Sequence, residues 1–425
     1  MTIFKKCGNF CSKLGPGLVA GAADDDPSAI AAYSQAGAKF GYHQLWTVIL
    51  MLPLITAVQE ACARIGAAKG KGIAAVIKQH YSKKVLFLVV SLILIANTIN
   101  IGANIGAMAE ATRLIIPLNF SVLALSFTAL ILFLELFLSY KVYSRFLKIL
   151  ALSLLAYPLT VFLVSHPWLE LLKDTFLPHL EFNFTFLFII VGVLGATISP
   201  YMFFWQAAEE VAEEKSHHLF NYGRPKVSEK FIRNLRLDNF LGMLFSQIAA
   251  WCIIVVAGTV LHNNGITEIN SAADAARALE PLVNTFPNAG MLSKIIFATG
   301  IVGLGLLSVP VMSASASFAV TEALSWREGF NLKFRRAHGF YGVITVATVV
   351  GLIINYIGID PIKALVITAV INGVVSVPLL FMINKIASDK KIMGKYRSGA
   401  LSQTLLWLIF CVMLFSCLAM FFSLI

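Results

Sequence analysis

Three consecutive acids, Asp24-Asp25-Asp26, followed by Pro27-Ser28, interrupt a stretch that opens on Gly15-Pro16-Gly17 and is otherwise apolar. Ionisable side chains inside such stretches are costly to bury and normally face a cavity or an ion path. A second interruption runs Gly192-Val193-Leu194-Gly195-Ala196-Thr197-Ile198-Ser199-Pro200-Tyr201. Pro200 has no N–H and its ring collides with the carbonyl four residues earlier, so it frees the carbonyl of Ala196. Carboxylate, carbonyl and hydroxyl groups are oxygen donors, and oxygen donors suit hard cations. Asp26 also reads as a helix N-cap with Pro27 at the first helical position. That reading accounts for the half-helix that follows and leaves the three charges without a role.

These residues must be positioned by the elements around them. The 425-residue chain is 58% hydrophobic and 13% charged, with a mean hydropathy of +0.81; a soluble domain has about 45–50% apolar and about 25% charged residues. A membrane crossing needs roughly 20 apolar residues. Eleven runs qualify: 15–37, 44–66, 84–108, 120–140, 145–165, 184–208, 238–261, 289–324, 338–356, 361–384 and 401–424. The fold class expected is an all-α membrane protein with about eleven transmembrane helices. Spans one and six carry the interruptions and stand five apart, as in an inverted repeat of two five-helix halves. The halves would cover 15–165 and 184–384 within a single transmembrane domain, 1–425, with 401–424 as an extra helix. Between spans seven and eight, Ser271 is placed to cap a short helix outside the bilayer.

Alternating the spans puts most of the 33 Lys and Arg residues on the side of the N-terminus; only Lys39, Arg113, Lys173, Arg277, Lys294 and Lys363 fall opposite. The positive-inside rule then makes the N-terminus cytoplasmic and the C-terminus external, in a plasma (inner) membrane. The net charge of +11 is therefore topological, and a nucleic-acid partner loses its support. Lys5, Lys6 and Lys13 precede three aspartates instead of a long apolar run and cleavage site, unlike a signal peptide. Six scattered cysteines have no disulfide or zinc spacing; Cys7 and Cys11 read as a reduced tail. No cofactor is implied. The eight histidines lie in loops or at span ends, with no His-Glu-x-x-His motif, which argues against an embedded enzyme.

At the two interruptions the chain resembles the natural-resistance-associated macrophage protein (NRAMP) family of divalent metal transporters. That family carries Gly-Pro-Gly followed by Asp-Pro-Gly-Asn in its first helix, where this chain has Gly15-Pro16-Gly17 and Asp26-Pro27-Ser28-Ala29. Its sixth helix carries Gly-Ala-Thr-Val-Met-Pro-His, against Gly195-Ala196-Thr197-Ile198-Ser199-Pro200-Tyr201 here. The second helix matches through Gln59-Glu60-Ala61-Cys62-Ala63-Arg64-Ile65-Gly66 and Gly70-Lys71-Gly72. The resemblance implies a LeuT-like fold, alternating access and a metal site between helices one and six. Carried over singly, Asp26 keeps the family's carboxylate and Ala196 its carbonyl, while Ala29 replaces the Asn and Ser199 replaces the Met.

A thioether helps select transition metals, so its loss points to harder ions. Mg²⁺ keeps several waters and needs few direct carboxylates, and the pattern is similar to the NRAMP-related magnesium transporters. The family's third-helix acids align with Asn100 and Ala103, and its sixth-helix His with Tyr201. With those proton carriers missing, the expected activity is secondary transport of Mg²⁺ and Mn²⁺ without tight proton coupling. The alternatives are a proton-coupled Mn²⁺/Fe²⁺ importer that uses Asp24 or Asp25 as the acid, or a channel.

Asn97, Asn100 and Asn104 share one helix face, and either bond helices together or solvate an ion path. Asn372, in the tenth span, is a further candidate for that path. Glu209, Glu210, Glu213 and Glu214 read as a solvated helix end, with an exit funnel as the second reading. Gln59 and Glu60 read as structural.

Overall fold

The structure, a computed structural model, describes residues 20–21, 23–137, 155–216, 220–221, 224–225, 228–330, 332 and 334–423. Gly15-Pro16-Gly17, Cys7, Cys11 and 145–154 of the fifth expected span lie outside the described residues. Twelve helices carry the expected spans: α1 (Pro27–Phe40), α2 (Trp46–Lys69), α3 (Lys83–Arg113), α4 (Phe120–Phe137), α5 (Ala156–Leu163), α6 (Phe184–Thr197), α7 (Pro200–Ser216), α8 (Glu229–Val260), α9 (Ala289–Leu324), α10 (His338–Ile354), α11 (Pro361–Ser388) and α12 (Ala400–Phe422). The other pairing among the described residues is a two-residue antiparallel contact of Phe220–Asn221 with Arg224–Pro225. Ser271 caps the short helix Ala272–Arg277 as expected, its hydroxyl accepting from the Asp274 amide.

Both interruptions break a helix. The 14 residues of α1 reach only about 21 Å at 1.5 Å each, short of the roughly 30 Å hydrocarbon core, so this half-helix cannot cross alone. Span six is split between α6 and α7 at Ile198-Ser199.

Burial sorts the spans into an inner and an outer set. The most apolar window of Phe184–Glu214 is 94% buried, whereas those of α4 and α12 are 28% buried; the broken span is the centre and the latter two form the rim. Helix α1 packs on α8, α11 and α6, while α3 lies along α9, α11 and α10. The approach of α6 to α11 depends on glycine. A Cβ on Gly195 would stand 2.2 Å from the Ala369 carbonyl oxygen and 2.4 Å from the Gly373 nitrogen. Gly66 of α2 is equally flush against α7, 2.3 Å from the Ala207 oxygen by the same measure.

Two features differ from the reading of the sequence. The loop expected over Glu209 to Asp238 is largely helical, because α7 runs on to Ser216 and α8 starts at Glu229. The acids on α7 are also not a solvated end: Glu210 and Glu214 are 2% and 1% exposed. Helix α7 packs against α2 and α9, so its polar turns stay inside the bundle, and Gln206 Nε2 donates to Glu210 Oε1 at 2.9 Å. Glu60 serves a structural node. It accepts from Arg64 Nε at 2.9 Å and from Arg236 Nε at 3.0 Å, and Arg64 Nη2 donates on to Ser398 Oγ at 2.8 Å. The pair thus ties α2 to α8 and to the segment ahead of α12.

Candidate functional site

The first half of the site is built by the start of α1. Asp26 is the N-cap, in an extended conformation (φ −70°, ψ 170°), with Pro27 at the first helical position. Its Oδ1 accepts from the Ala29 amide at 2.9 Å and from Ser28 Oγ at 2.7 Å. Its Oδ2 accepts from Asn104 Nδ2 of α3 at 3.0 Å. The carboxylate is 1% exposed and has no Lys or Arg partner among the described residues. Ala29 therefore reaches Asp26 through its N–H, a donor, while its carbonyl points along α1.

The second half is the gap between α6 and α7. Pro200 cannot donate, and the Ala196 carbonyl instead accepts from Ser199 Oγ at 2.8 Å. Ala196 and Ser199 are 0% and 1% exposed. This is the freed oxygen that the proline implies, satisfied by the one neighbouring hydroxyl. Two tyrosines tie the broken spans together: Tyr201 Oη donates to the Ala23 carbonyl at 2.9 Å, and Tyr33 Oη meets Thr197 Oγ1 at 3.0 Å. Ser315 of α9 holds the Tyr201 carbonyl at 2.7 Å. Tyr201 thus bridges the two breaks and carries no proton-accepting ring nitrogen there.

Asp24 and Asp25 are also buried, at 1% and 0% exposed, and share the Ser246 hydroxyl of α8 at 3.3 and 3.2 Å. Asp24 Oδ1 and Asp25 Oδ2 have no protein hydrogen-bond partner. Three carboxyl groups in sequence, enclosed and without a basic partner among the described residues, make a centre where burial penalises every ionised carboxylate that lacks a counter-charge or a proton. A multivalent cation relieves it directly.

The asparagine face of α3 reaches this centre through Asn104. Asn104, with Asn97 and Asn100, is fully buried. Its Nδ2 also lies 2.9 Å from Asn100 Oδ1, and 3.8 Å from the Met312 sulfur of α9. Asn97 Nδ2 donates to the Met312 carbonyl at 2.9 Å. Asn97 Oδ1, Asn100 Nδ2 and Asn104 Oδ1 have no protein partner. Neither do both polar atoms of Asn372, which precedes the Gly373 that touches Gly195. A buried amide left unbonded costs about 1–3 kcal/mol; the free atoms of Asn104, which touches Asp26, and of its neighbour Asn100 are available to an ion or its waters.

Of the residues singled out by sequence, Asp26, Ala29, Ala196, Ser199 and Tyr201 fall at the two breaks, Asn100 adjoins Asp26 through Asn104, and Asn97 lies further along α3 against the Met312 carbonyl. Asn104, named with them as part of one helix face, makes the most direct contact, to Asp26 Oδ2. Its position one turn beyond Asn100 was the available signal. Met312, Tyr33, Thr197, Ser246 and Ser315 left no signal, because each joins through a contact between distant segments. At the rim, Lys39 Nζ donates to Glu268 Oε1 at 2.8 Å, fastening the end of α1 and holding that carboxyl below its usual range.

Comparisons with known proteins agree with this architecture. The family model described as natural resistance-associated macrophage protein-like matches residues 17–423. A divalent metal cation transporter MntH of Klebsiella pneumoniae is 28% identical over 391 residues, covering 90% of this chain and 86% of that protein. Among solved structures, the manganese transporter of Eremococcus coleocola superposes with a TM-score of 0.71 at 15% identity, over 95% of this chain and 85% of that one. MhsT in complex with L-phenylalanine superposes with a TM-score of 0.62 at 10% identity, over 96% and 98% of the two chains. At these identities the structural likeness shows the fold alone, which is LeuT-like.

Proposed function

Because this chain belongs to the natural resistance-associated macrophage protein-like family, we propose that its two helix breaks carry a hard divalent cation, Mg²⁺ or Mn²⁺, across the bilayer by alternating access. At the coarser level it is an integral membrane transporter of divalent metal cations and not an enzyme. The observation that carries the finer reading is the Asp26 carboxylate, 1% exposed, without a basic partner among the described residues and surrounded by oxygen and amide donors. In this reading Asp26, the Ala196 carbonyl and Ser199 Oγ supply direct or water-bridged oxygens, with Ala29 behind Asp26. Asn97, Asn100, Asn372 and Tyr201 line the way in and out. Such a site suits an ion that keeps part of its water shell. Met312 leaves one thioether next to Asn104, so Mn²⁺ belongs in the expected set beside Mg²⁺.

Asn100, Ala103 and Tyr201 offer no acid or imidazole at the positions where the family resemblance expects proton carriers. The drive is then the membrane potential, worth about 2.3 kcal/mol per charge per 100 mV. The 33 basic residues favour a cytoplasmic N-terminus and an external C-terminus in a plasma membrane. One transmembrane domain of two five-span repeats, with the last helix added, is the organisation this reading uses.

Uptake into proteoliposomes, with Mg²⁺, Mn²⁺ and Ca²⁺ compared side by side and a pH dye enclosed, tests the proposal. Saturable Mg²⁺ and Mn²⁺ uptake without acidification is expected; proton entry that scales with Mn²⁺ flux overturns the uncoupled drive. Ser199→Met supplies a thioether in place of the hydroxyl. Competition by Cd²⁺ or Mn²⁺ against Mg²⁺ should rise about tenfold in that variant. Unchanged competition would place residue 199 away from the ion.

A further inference from the structure

A second group of metal-ligating side chains lies away from the buried site, on the opposite face from most basic residues. His43 sits in the turn between α1 and α2, and His179 and Glu181 sit just ahead of α6. Their ligand atoms all fall within 4.8 Å of one another. His179 Nε2 is 3.2 Å from Glu181 Oε1, and His43 Nδ1 is 4.0 Å from the same oxygen. Two ligands on a tetrahedral ion at about 2.0–2.1 Å stand about 3.3 Å apart, so little closure is needed.

The surroundings orient these groups as a supporting layer does around a metal. Asn183 Nδ2 donates to Glu181 Oε2 at 2.8 Å and leaves Oε1 turned to the imidazoles. Trp46 Nε1 bonds the His179 carbonyl at 3.1 Å, which fixes that backbone against the start of α2. The His179 ring rests edge-on to Phe186 of α6 and lies 4.1 Å from the His43 ring, centre to centre. Two imidazoles and one carboxylate suit a first-row ion of borderline softness and leave a fourth position for water. This donor set differs in kind from the oxygen and amide set around Asp26.

Placement gives the group a consequence. His43 follows the last turn of α1 and Glu181 precedes the N-cap of α6, the two half-helices that carry the transport site. We propose that His43, His179 and Glu181 form a second metal site, with Zn²⁺ as its probe, that clamps the end of α1 to the start of α6 and slows transport when filled. The clamp rests on the alternating-access reading; the site itself does not.

The test is Zn²⁺ binding to the purified full chain by equilibrium dialysis, paired with Zn²⁺ inhibition of Mg²⁺ uptake in proteoliposomes. His43→Ala and His179→Ala should each lose one bound Zn²⁺, or weaken it by at least about tenfold. Asp26→Asn and His338→Ala, an exposed histidine elsewhere, should keep it. Equal binding in wild type and both histidine variants overturns the site. Zn²⁺ that fills the site and inhibits wild type no more than His179→Ala overturns the clamp. Because binding is read in the Asp26→Asn background as well, loss of the transport reading would leave this result intact.

Discussion

Asp26→Asn is expected to reduce saturable uptake of Mg²⁺ and Mn²⁺ by at least about 100-fold while the chain still folds. The fold survives because Asn is as good an N-cap as Asp, so its side-chain oxygen can keep the Ala29 amide and Ser28 hydroxyl now held by Oδ1. Function fails for two reasons. The substitution removes one unit of negative charge from an enclosed centre, and the new NH₂ faces Asn104 Nδ2, so donor meets donor where Oδ2 accepts at 3.0 Å. Loss of a supporting partner of a metal costs 10–100-fold in affinity, and loss of a direct carboxylate costs more. Transport by Asp26→Asn above about a tenth of wild type would put the ion elsewhere, with Asp24 and Asp25 as the next carboxylates to replace.

Gly195→Ala should be a strongly damaging single-methyl change near the site. Its Cβ would stand 2.2 Å from the Ala369 oxygen and 2.4 Å from the Gly373 nitrogen, both backbone atoms of α11. No rotamer relieves a backbone clash, so α6 and α11 must separate. Overpacking of this kind costs about 1–3 kcal/mol, occasionally more. The displacement also carries the adjacent Ala196 carbonyl. A lower melting temperature in detergent and uptake below about a tenth of wild type are the expected readouts. Gly342→Ala, on α10 with nothing within 4 Å of the place its Cβ would take, should change neither. Wild-type melting and uptake in Gly195→Ala would show that this contact yields easily.

The spans were legible because membrane crossing imposes a length on apolar runs, and each expected run overlaps a helix among the described residues. The breaks were legible because proline leaves a local mark: Asp26-Pro27 starts α1, and Pro200 frees Ala196. What a sequence cannot rank is which of several equivalent side chains meets a distant partner. Asn97, Asn100 and Asn104 share one face, and only the crossing of α3 over the start of α1 selects Asn104 for Asp26. The acids on α7 failed for a related reason. A run of glutamates reads as solvated unless the neighbours of that helix are known, and here α2 and α9 cover it.

The Asp26 cap has a consequence for turnover. The oxygen that fastens the first turn of α1 is one of the two that a passing ion would draw upon, so arrival of cargo competes with a cap worth about 1 kcal/mol. Departure restores it. Subtracting that amount from the hold on the ion corresponds to a dwell time about fivefold shorter. A storage protein would gain by a cap independent of its ligand, whereas a carrier gains throughput from one that re-forms each time it lets go.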